Sequence, residues 1–272
     1  MKIHVNERLH NILTETTAFS LRDEIKPDAD IIIVNGHWIT DDYELRGGEH
    51  VHLIKRGEMP DPDELEALLM SRHTPGVHNK LKRSKIGIAG LGGLGSNAAV
   101  SLARMGVGSL VMVDFDIVTP ANINRQHYYI DQIGKKKTDA LWESIERINP
   151  YSEYVFKDVF LTSENAGEVF EGCDVVIEAL DKAEFKTELI QGCSASLPET
   201  LIIAASGIAG YEDTLLFKRK RLGRNIVIIG DFENGTDVGI GLMASRVAAA
   251  ANIQANLAVR YLLGNFKPEE LD

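Results

Sequence analysis

Residues 85–96 read Lys-Ile-Gly-Ile-Ala-Gly-Leu-Gly-Gly-Leu-Gly-Ser. The first five are mostly apolar, as expected of a strand buried on both faces. Gly90-x-Gly92-x-x-Gly95 follows at once, and helical spacing runs over 96–105. A strand that feeds a glycine turn and then a helix suits a phosphate. The glycines permit a tight turn and close approach to backbone N–H groups, and the helix N-terminus favours negative charge. Downstream, the apolar run at 110–113 ends in Asp114. An acid about 20 residues past such glycines can bond ribose hydroxyls. This motif serves a dinucleotide and ATP equally, so on it alone a nicotinamide- or flavin-dependent enzyme stays open.

Outward from this stretch, helical patterns recur near 136–148, 162–170, 184–196 and 240–263. Strand patterns lie near 154–159, 174–179, 200–205 and 225–229. Strands alternating with helices imply an α/β fold, a Rossmann-like and mostly parallel sheet with helices on both faces. The N-terminal pattern differs. Ile3 and Val5, then Leu9 and Ile12, mark two short strands. A brief helix follows at 20–25 with Ser20 as its cap, then a buried strand at 30–35 closed by Asn35-Gly36, then an alternating strand at 50–55. This is a small α+β module. Asp61 and Pro62 suit the cap and first turn of a helix reaching about Arg72, which Thr74-Pro75-Gly76 stops. The expected domains are 1–57, a linker and helix at 58–83, and a nucleotide domain at 84–272.

The chain has 272 residues, 44% hydrophobic and 25% charged, which excludes a disordered, collagenous or coiled-coil chain. Its net charge of −11 argues against a clamp for nucleic acid. No apolar run approaches the roughly 18–20 residues of a membrane span. The N-terminus lacks the apolar core of a signal peptide, so a cytoplasmic protein is expected. Two cysteines, Cys173 and Cys193, supply neither a disulfide framework nor a four-cysteine zinc site. Both read as small buried hydrophobes.

The segment after Asp114 separates the nucleotide chemistries. Asn122-Ile123-Asn124-Arg125-Gln126 comes shortly after Val113-Asp114-Phe115-Asp116, and Lys137 ends Gly134-Lys135-Lys136-Lys137. A dehydrogenase has little use for Arg and Lys at the first nucleotide half-site. A nucleotidyl transferase does, because charge builds on the α-phosphate and pyrophosphate leaves with more. Asp181 stands just past an apolar strand. An acid at that end faces the ligand crevice of an open sheet and can hold Mg²⁺ against phosphate oxygens.

Residues 84–265 resemble the ubiquitin-activating-like adenylyltransferases, the ThiF, MoeB and HesA family. The resemblance rests on GLGGLGS (90–96), VDFDIV (113–118), NINRQ (122–126), GKKK (134–137), RINP (147–150), ALD (179–181) and the helical run at 237–264. It implies that Gly90, Gly92, Gly93 and Gly95 cradle ATP and that Asp114 bonds the ribose. It places Asp116, Asn122 and Gln126 beside the nucleotide, Arg125 and Lys137 on the phosphates, and Asp181 on Mg²⁺. Arg72 matches an arginine that such enzymes supply across a homodimer. Many members hold zinc in two Cys-x-x-Cys pairs. Here Lys218-Arg219-Lys220-Arg221-Leu222-Gly223-Arg224 stands where the first pair would fall, so no structural zinc is expected. The crossover stretch near 207–238 has no cysteine, which speaks against a covalent sulfur relay.

Residues 1–57 resemble ThiS, the β-grasp sulfur carrier, through MKIHVNERL, SLRDEI, DIIIVNG and HVHLIKRG. A working carrier ends in Gly-Gly, whereas this chain continues from Gly57 into Glu58-Met59-Pro60. The resemblance implies adenylation of the C-terminal glycine of a separate ThiS-type carrier, for thiamine thiazole synthesis. Alternatives are another acceptor, a molybdopterin carrier or a tRNA base, or a non-catalytic nucleotide-binding regulator whose fused module occupies the carrier site.

Overall fold

The computed structural model describes residues 1–74, 76–235 and 239–271. Pro75 of the Thr74-Pro75-Gly76 stop, and Asp237 and Val238 at the head of the 237–264 motif, lie outside the described residues, as does Asp272. The chain forms two compact units, Met1–His78 and Asn79–Asp272.

In the N-terminal unit, β1 (Lys2–Val5) and β2 (Arg8–Asn11) form a hairpin. α1 (Ala18–Ile25), β3 (Ile31–Val34), β4 (His37–Ile39), β5 (His50–Ile54) and α2 (Pro62–Arg72) follow. The sheet order is β2-β1-β5-β3-β4, with β1 and β5 parallel. Strand alternation turns Ile3, Val5, Ile32, Val34, Val51 and Leu53 inward, where Ala18 and Leu21 of α1 complete the core. The cap of α1 is Thr17 rather than Ser20. Thr17 Oγ1 accepts from Ser20 N at 3.2 Å, and Ser20 Oγ accepts in return from Thr17 N at 3.0 Å. Asp61 caps α2 as expected, accepting from Glu64 N at 2.9 Å. The three-residue β4 is too short to show a period in the sequence.

α3 (Val77–Leu81) leads into β6 (Lys85–Ala89), α4 (Gly93–Arg104), β7 (Ser109–Val113), α5 (Lys137–Glu146) and β8 (Glu153–Lys157). Next come α6 (Ala166–Val169), β9 (Val175–Glu178), α7 (Ala183–Ser196), β10 (Leu201–Ala205), β11 (Lys218–Arg221), β12 (Ile226–Gly230) and α8 (Ala244–Leu262). Seven strands order as β11-β12-β10-β9-β6-β7-β8. All pairs are parallel except β11 with β12. The fold is the Rossmann-like α/β sheet expected, with a small strand-rich unit before it. From β6 the chain winds outward through β7 and β8, then returns to β9 on the other side of β6. That reversal opens a crevice at the carboxyl ends of β6 and β9.

β7, β9 and β10 are buried along their whole length, so they read as unbroken apolar runs. α6 and α7 cover one face, bringing Ala166, Val169, Leu189 and Cys193 onto Val111, Val113, Val176 and Ile202. α4 and α8 pack together on the other face. The Lys218–Arg221 run is strand β11 at the sheet's edge, where cationic side chains discourage pairing with another chain. Cys173 and Cys193 are buried and unbridged, and burial pushes their thiols up to about 11 and about 12. Among the described residues no helix is long and apolar enough to cross a membrane.

Candidate nucleotide-binding site

The loop between β6 and α4 needs its glycines. Gly90 has φ +90°, and a Cβ there would stand 2.8 Å from the Ala179 carbonyl oxygen. A Cβ on Gly95 would fall 1.8 Å from the Gly90 carbonyl oxygen, inside van der Waals contact. Gly92 caps α4 and brings no side chain to its first N–H groups, which stay free for an anion.

Asp114, buried at the end of β7, braces this loop. Its Oδ2 accepts from Leu91 N at 2.6 Å and its Oδ1 from Asp116 N at 2.8 Å. The Tyr128 hydroxyl donates to the Leu91 carbonyl at 2.8 Å. Burial, and then the charges of Asp114 and Asp116, hold that phenol protonated well above its ordinary range. The Lys137 ammonium, delivered by the first turn of α5, is buried 2.7 Å from Asp116 Oδ2 and 3.6 Å from Asp114 Oδ2.

Arg125 and Gln126 come from the loop after β7. Arg125 Nη1 donates to the Ala121 carbonyl at 3.2 Å and to Asn124 Oδ1 at 2.9 Å. Its buried Nε donates to no described residue, and the buried Gln126 Oε1 accepts from none. Buried polar atoms are nearly always paired, so these two ask for a ligand. Asn122 Oδ1 accepts from Thr119 N at 2.9 Å and fixes the turn that carries them. Asp181 follows β9, is exposed, and takes no hydrogen bond from the described residues. Such a donor set suits Mg²⁺, which binds through one or two carboxylates while keeping phosphate oxygens and waters.

Gly90, Gly92, Gly93, Asp114, Asp116, Asn122, Arg125, Gln126, Lys137 and Asp181 all line one cavity of about 950 Å³. Gly95 lies beneath it, in the first turn of α4. Arg72 belongs to the N-terminal unit, where it closes α2 and is exposed. One wall of the cavity is aromatic. Phe160 stands edge-on to both Phe115 and Phe185, each at 5.1 Å between ring centres. Away from the glycine loop the cavity continues past Ser206, Gly207, Ile208 and Ala209.

Two features escaped the sequence reading. Glu178 ends β9 fully buried, and Lys186 Nζ lies 2.9 Å from both of its carboxylate oxygens. Burial raises the Glu178 carboxyl, with Lys186 and its N–H donors working against that rise. An acid closing an apolar strand was the one visible hint. The second is Arg246 of α8. It is buried against Asp231, donates to the carbonyls of Glu212 and Asp213, and sits 4.6 Å from the Phe217 ring centre. No spacing rule links these residues.

The model of the ThiF family matches residues 66–271. The chain belongs to the ThiF family. Residues 1–57 match the model of the ThiS-like ubiquitin domain. The tRNA threonylcarbamoyladenosine dehydratase of Bacillus subtilis is 37% identical over 141 residues, 51% of this chain and 54% of that protein. The molybdopterin-synthase adenylyltransferase of Escherichia coli is 30% identical over 198 residues, 69% of this chain and 76% of that protein. The chain thus spans about half the length of the curated dehydratases it matches. Among solved structures, the E. coli dehydratase in complex with ATP superposes with a TM-score of 0.65 at 22% identity, covering 72% of this chain and 92% of that one. That likeness establishes the fold of the ThiF domain.

Proposed function

We propose that the ThiF domain is an ATP-dependent adenylyltransferase acting on the C-terminal glycine carboxylate of a ThiS-type sulfur carrier, in thiamine thiazole synthesis. The observation that carries this reading is the single cavity holding the glycine loop, Asp114, Arg125, Lys137 and Asp181 together. The adenylyltransferase relative and the ThiS-like N-terminal match support it.

ATP lies with its phosphates over Gly92 and Gly93 and its ribose toward Asp114. The orphaned Arg125 Nε and Gln126 Oε1 gain partners. The carrier carboxylate enters past Ser206–Ala209 and attacks the α-phosphorus in line. A carboxylate O–P bond forms, the bond to the β-phosphate oxygen breaks, and pyrophosphate leaves with that electron pair. No proton moves and no protein nucleophile is needed. Catalysis is therefore positioning and charge stabilisation. Lys137 exchanges the exposed Asp116 carboxylate for phosphate oxygen, while Asp114 keeps it in place. Asp181 would hold Mg²⁺, which when bound would supply charge neutralisation at the phosphates. Arg72 completes the neighbour's site in a homodimer.

A second reading is a tRNA base as acceptor, which the 37% identical dehydratase relative favours. Pyrophosphate exchange with free carrier decides between them. ATP–pyrophosphate exchange that starts on adding carrier, with a mass gain of one AMP on the carrier, supports the first. Exchange that starts only with tRNA supports the second. Nucleotide binding with neither exchange leaves a regulator.

A further inference from the structure

The basic run at 218–224 plays no part in the cavity just described. It forms β11 and the turn after it, at the edge of the ThiF-domain sheet. A second hollow of about 250 Å³ lies there, between β11 and α8. Phe217, Ile253 and Leu257 line its apolar part, and among the described residues that line it Lys218, Arg219 and Arg260 bring three cations and no carboxylate. In a chain of net charge −11 that is an uncommon concentration of one sign.

The neighbouring cations behave differently. Arg221 pairs with Glu269 at 3.7 Å and Arg224 with Glu199 at 3.2 Å. Lys220 sits 4.0 Å from the centre of the Phe232 ring. Around the hollow, Arg219 and Arg260 stand 6.0 Å and 5.7 Å from the centre of the same ring, Phe266. Arg260 spends one N–H on the Asn265 carbonyl, at 3.0 Å, and neither guanidinium meets an acid among the described residues. Two like charges on one aromatic ring repel each other, a cost that an anion between them would relieve. Protection of a sheet edge explains cations on β11. It does not explain Arg260, which comes from α8.

We propose that this hollow is a phosphate-binding site, taking a ligand with consecutive phosphoryl groups. Arg presents a planar fork that binds phosphate oxygens in pairs, and Lys adds a point charge. Three positive charges outmatch a single carboxylate and fit a polyphosphate or successive backbone phosphates. The site is separate from the adenylation cavity and stands whether or not that cavity adenylates anything.

The test is calorimetric titration of the full chain with inorganic pyrophosphate. Three variants serve as controls: Arg219→Gln with Arg260→Gln, the exposed Lys218→Glu, and Arg125→Gln in the main cavity. Arg125→Gln is expected to keep a pyrophosphate site that the paired arginine variant loses. The paired variant and Lys218→Glu should each weaken it by about tenfold or more, the effect of removing charge-assisted bonds. Lys218 is exposed on the edge strand, and a urea midpoint at the wild-type value shows that a loss of binding there is not a loss of fold. A parallel titration with a single-stranded RNA oligomer identifies the source. Tighter binding of RNA than of pyrophosphate, weakening with salt, assigns a nucleic-acid backbone. Binding of pyrophosphate alone assigns a free polyphosphate. Equal binding of pyrophosphate by wild type and both edge variants overturns the proposal, and so does a wild type whose binding Arg125→Gln abolishes entirely.

Discussion

Arg246→Met removes a buried guanidinium while keeping most of its volume. Arg246 is 1% exposed, and its loss strips Asp231 of its ionic partner and the Glu212 and Asp213 carbonyls of their donor. Breaking a buried pair from one side costs about 3–5 kcal/mol. Asp231 still accepts from Glu233 N at 2.8 Å, Asn234 N at 2.9 Å and Asn234 Nδ2 at 2.6 Å. Its charge is therefore not stranded, and the expected loss sits near the low end, about 3 kcal/mol. That is a large share of the ~5–15 kcal/mol that stabilises a domain. The chain has two tryptophans, Trp38 in the N-terminal unit and Trp142 in α5. In a Trp38→Phe background, Trp142 fluorescence during urea unfolding reports the ThiF domain alone. Adding Asp231→Asn to Arg246→Met should recover less than about 1 kcal/mol, because the Glu233 and Asn234 donors already hold the carboxylate once the arginine is gone. An Arg246→Met midpoint equivalent to within about 0.5 kcal/mol of the parent would refute this reasoning, since it is the size of an ordinary surface substitution. The pH dependence has a definite sign. Burial alone would raise the Asp231 carboxyl, but the Asn234 and Glu233 donors and then Arg246 outweigh it and hold it below its ordinary 3.8. A folded value below the unfolded one stabilises above the unfolded pKa and is lost as pH falls through the folded value. Wild type should therefore lose ThiF-domain stability below about pH 4, and Asp231→Asn should show a flatter profile there.

Asp181→Asn should lose about a hundredfold or more of pyrophosphate exchange while unfolding at the wild-type midpoint, because the side chain is exposed and has no partner among the described residues, and a charge-stabilising group of this kind is worth that much; exchange at the wild-type rate with an unchanged Mg²⁺ optimum removes it from the metal. Cys173 and Cys193 should resist a thiol-specific disulfide reagent in native protein and react together once urea unfolds it, since burial holds both thiols protonated; rapid native labelling of either contradicts the buried assignment. Gly95→Ala should abolish nucleotide binding, because its Cβ cannot share space with the Gly90 carbonyl; wild-type affinity in that variant would show that the loop relaxes freely. Arg72→Ala and Lys137→Ala, each inactive, should regain activity when mixed as heterodimers, and no recovery on mixing means that each chain completes its own site.

The chemistry-bearing residues legible in the sequence are those whose positions local rules dictate. Gly90 and Gly95 stand where the strand passes into the helix because only glycine has the positive φ needed at the first and the room needed at the second, and the motif spans six residues. Asp114 and Asp181 follow strand ends, so the period of the strand locates them. Strand–helix alternation likewise implied the parallel sheet, because each crossover needs a helix to cover it. Ser20 and Thr17 mark where such rules lose resolution. Both residue types cap helices, and only the geometry shows that Thr17 does so while Ser20 returns the bond. β11 hid in a cationic run because an edge strand needs no apolar face.

The sequence by itself determined the fold class and the residues that gather at its crevice, since short-range sterics and hydrophobic period act over a few positions. Tertiary structure alone decided the Glu178–Lys186 pair, the Arg246–Asp231 clamp, the Phe115–Phe160–Phe185 wall and the Lys218–Arg219–Arg260 hollow. Each joins separate elements of the chain. Burial strengthens such pairings by lowering the local dielectric, but burial is a property of the packed sheet and its helices, and no local pattern of residues encodes it.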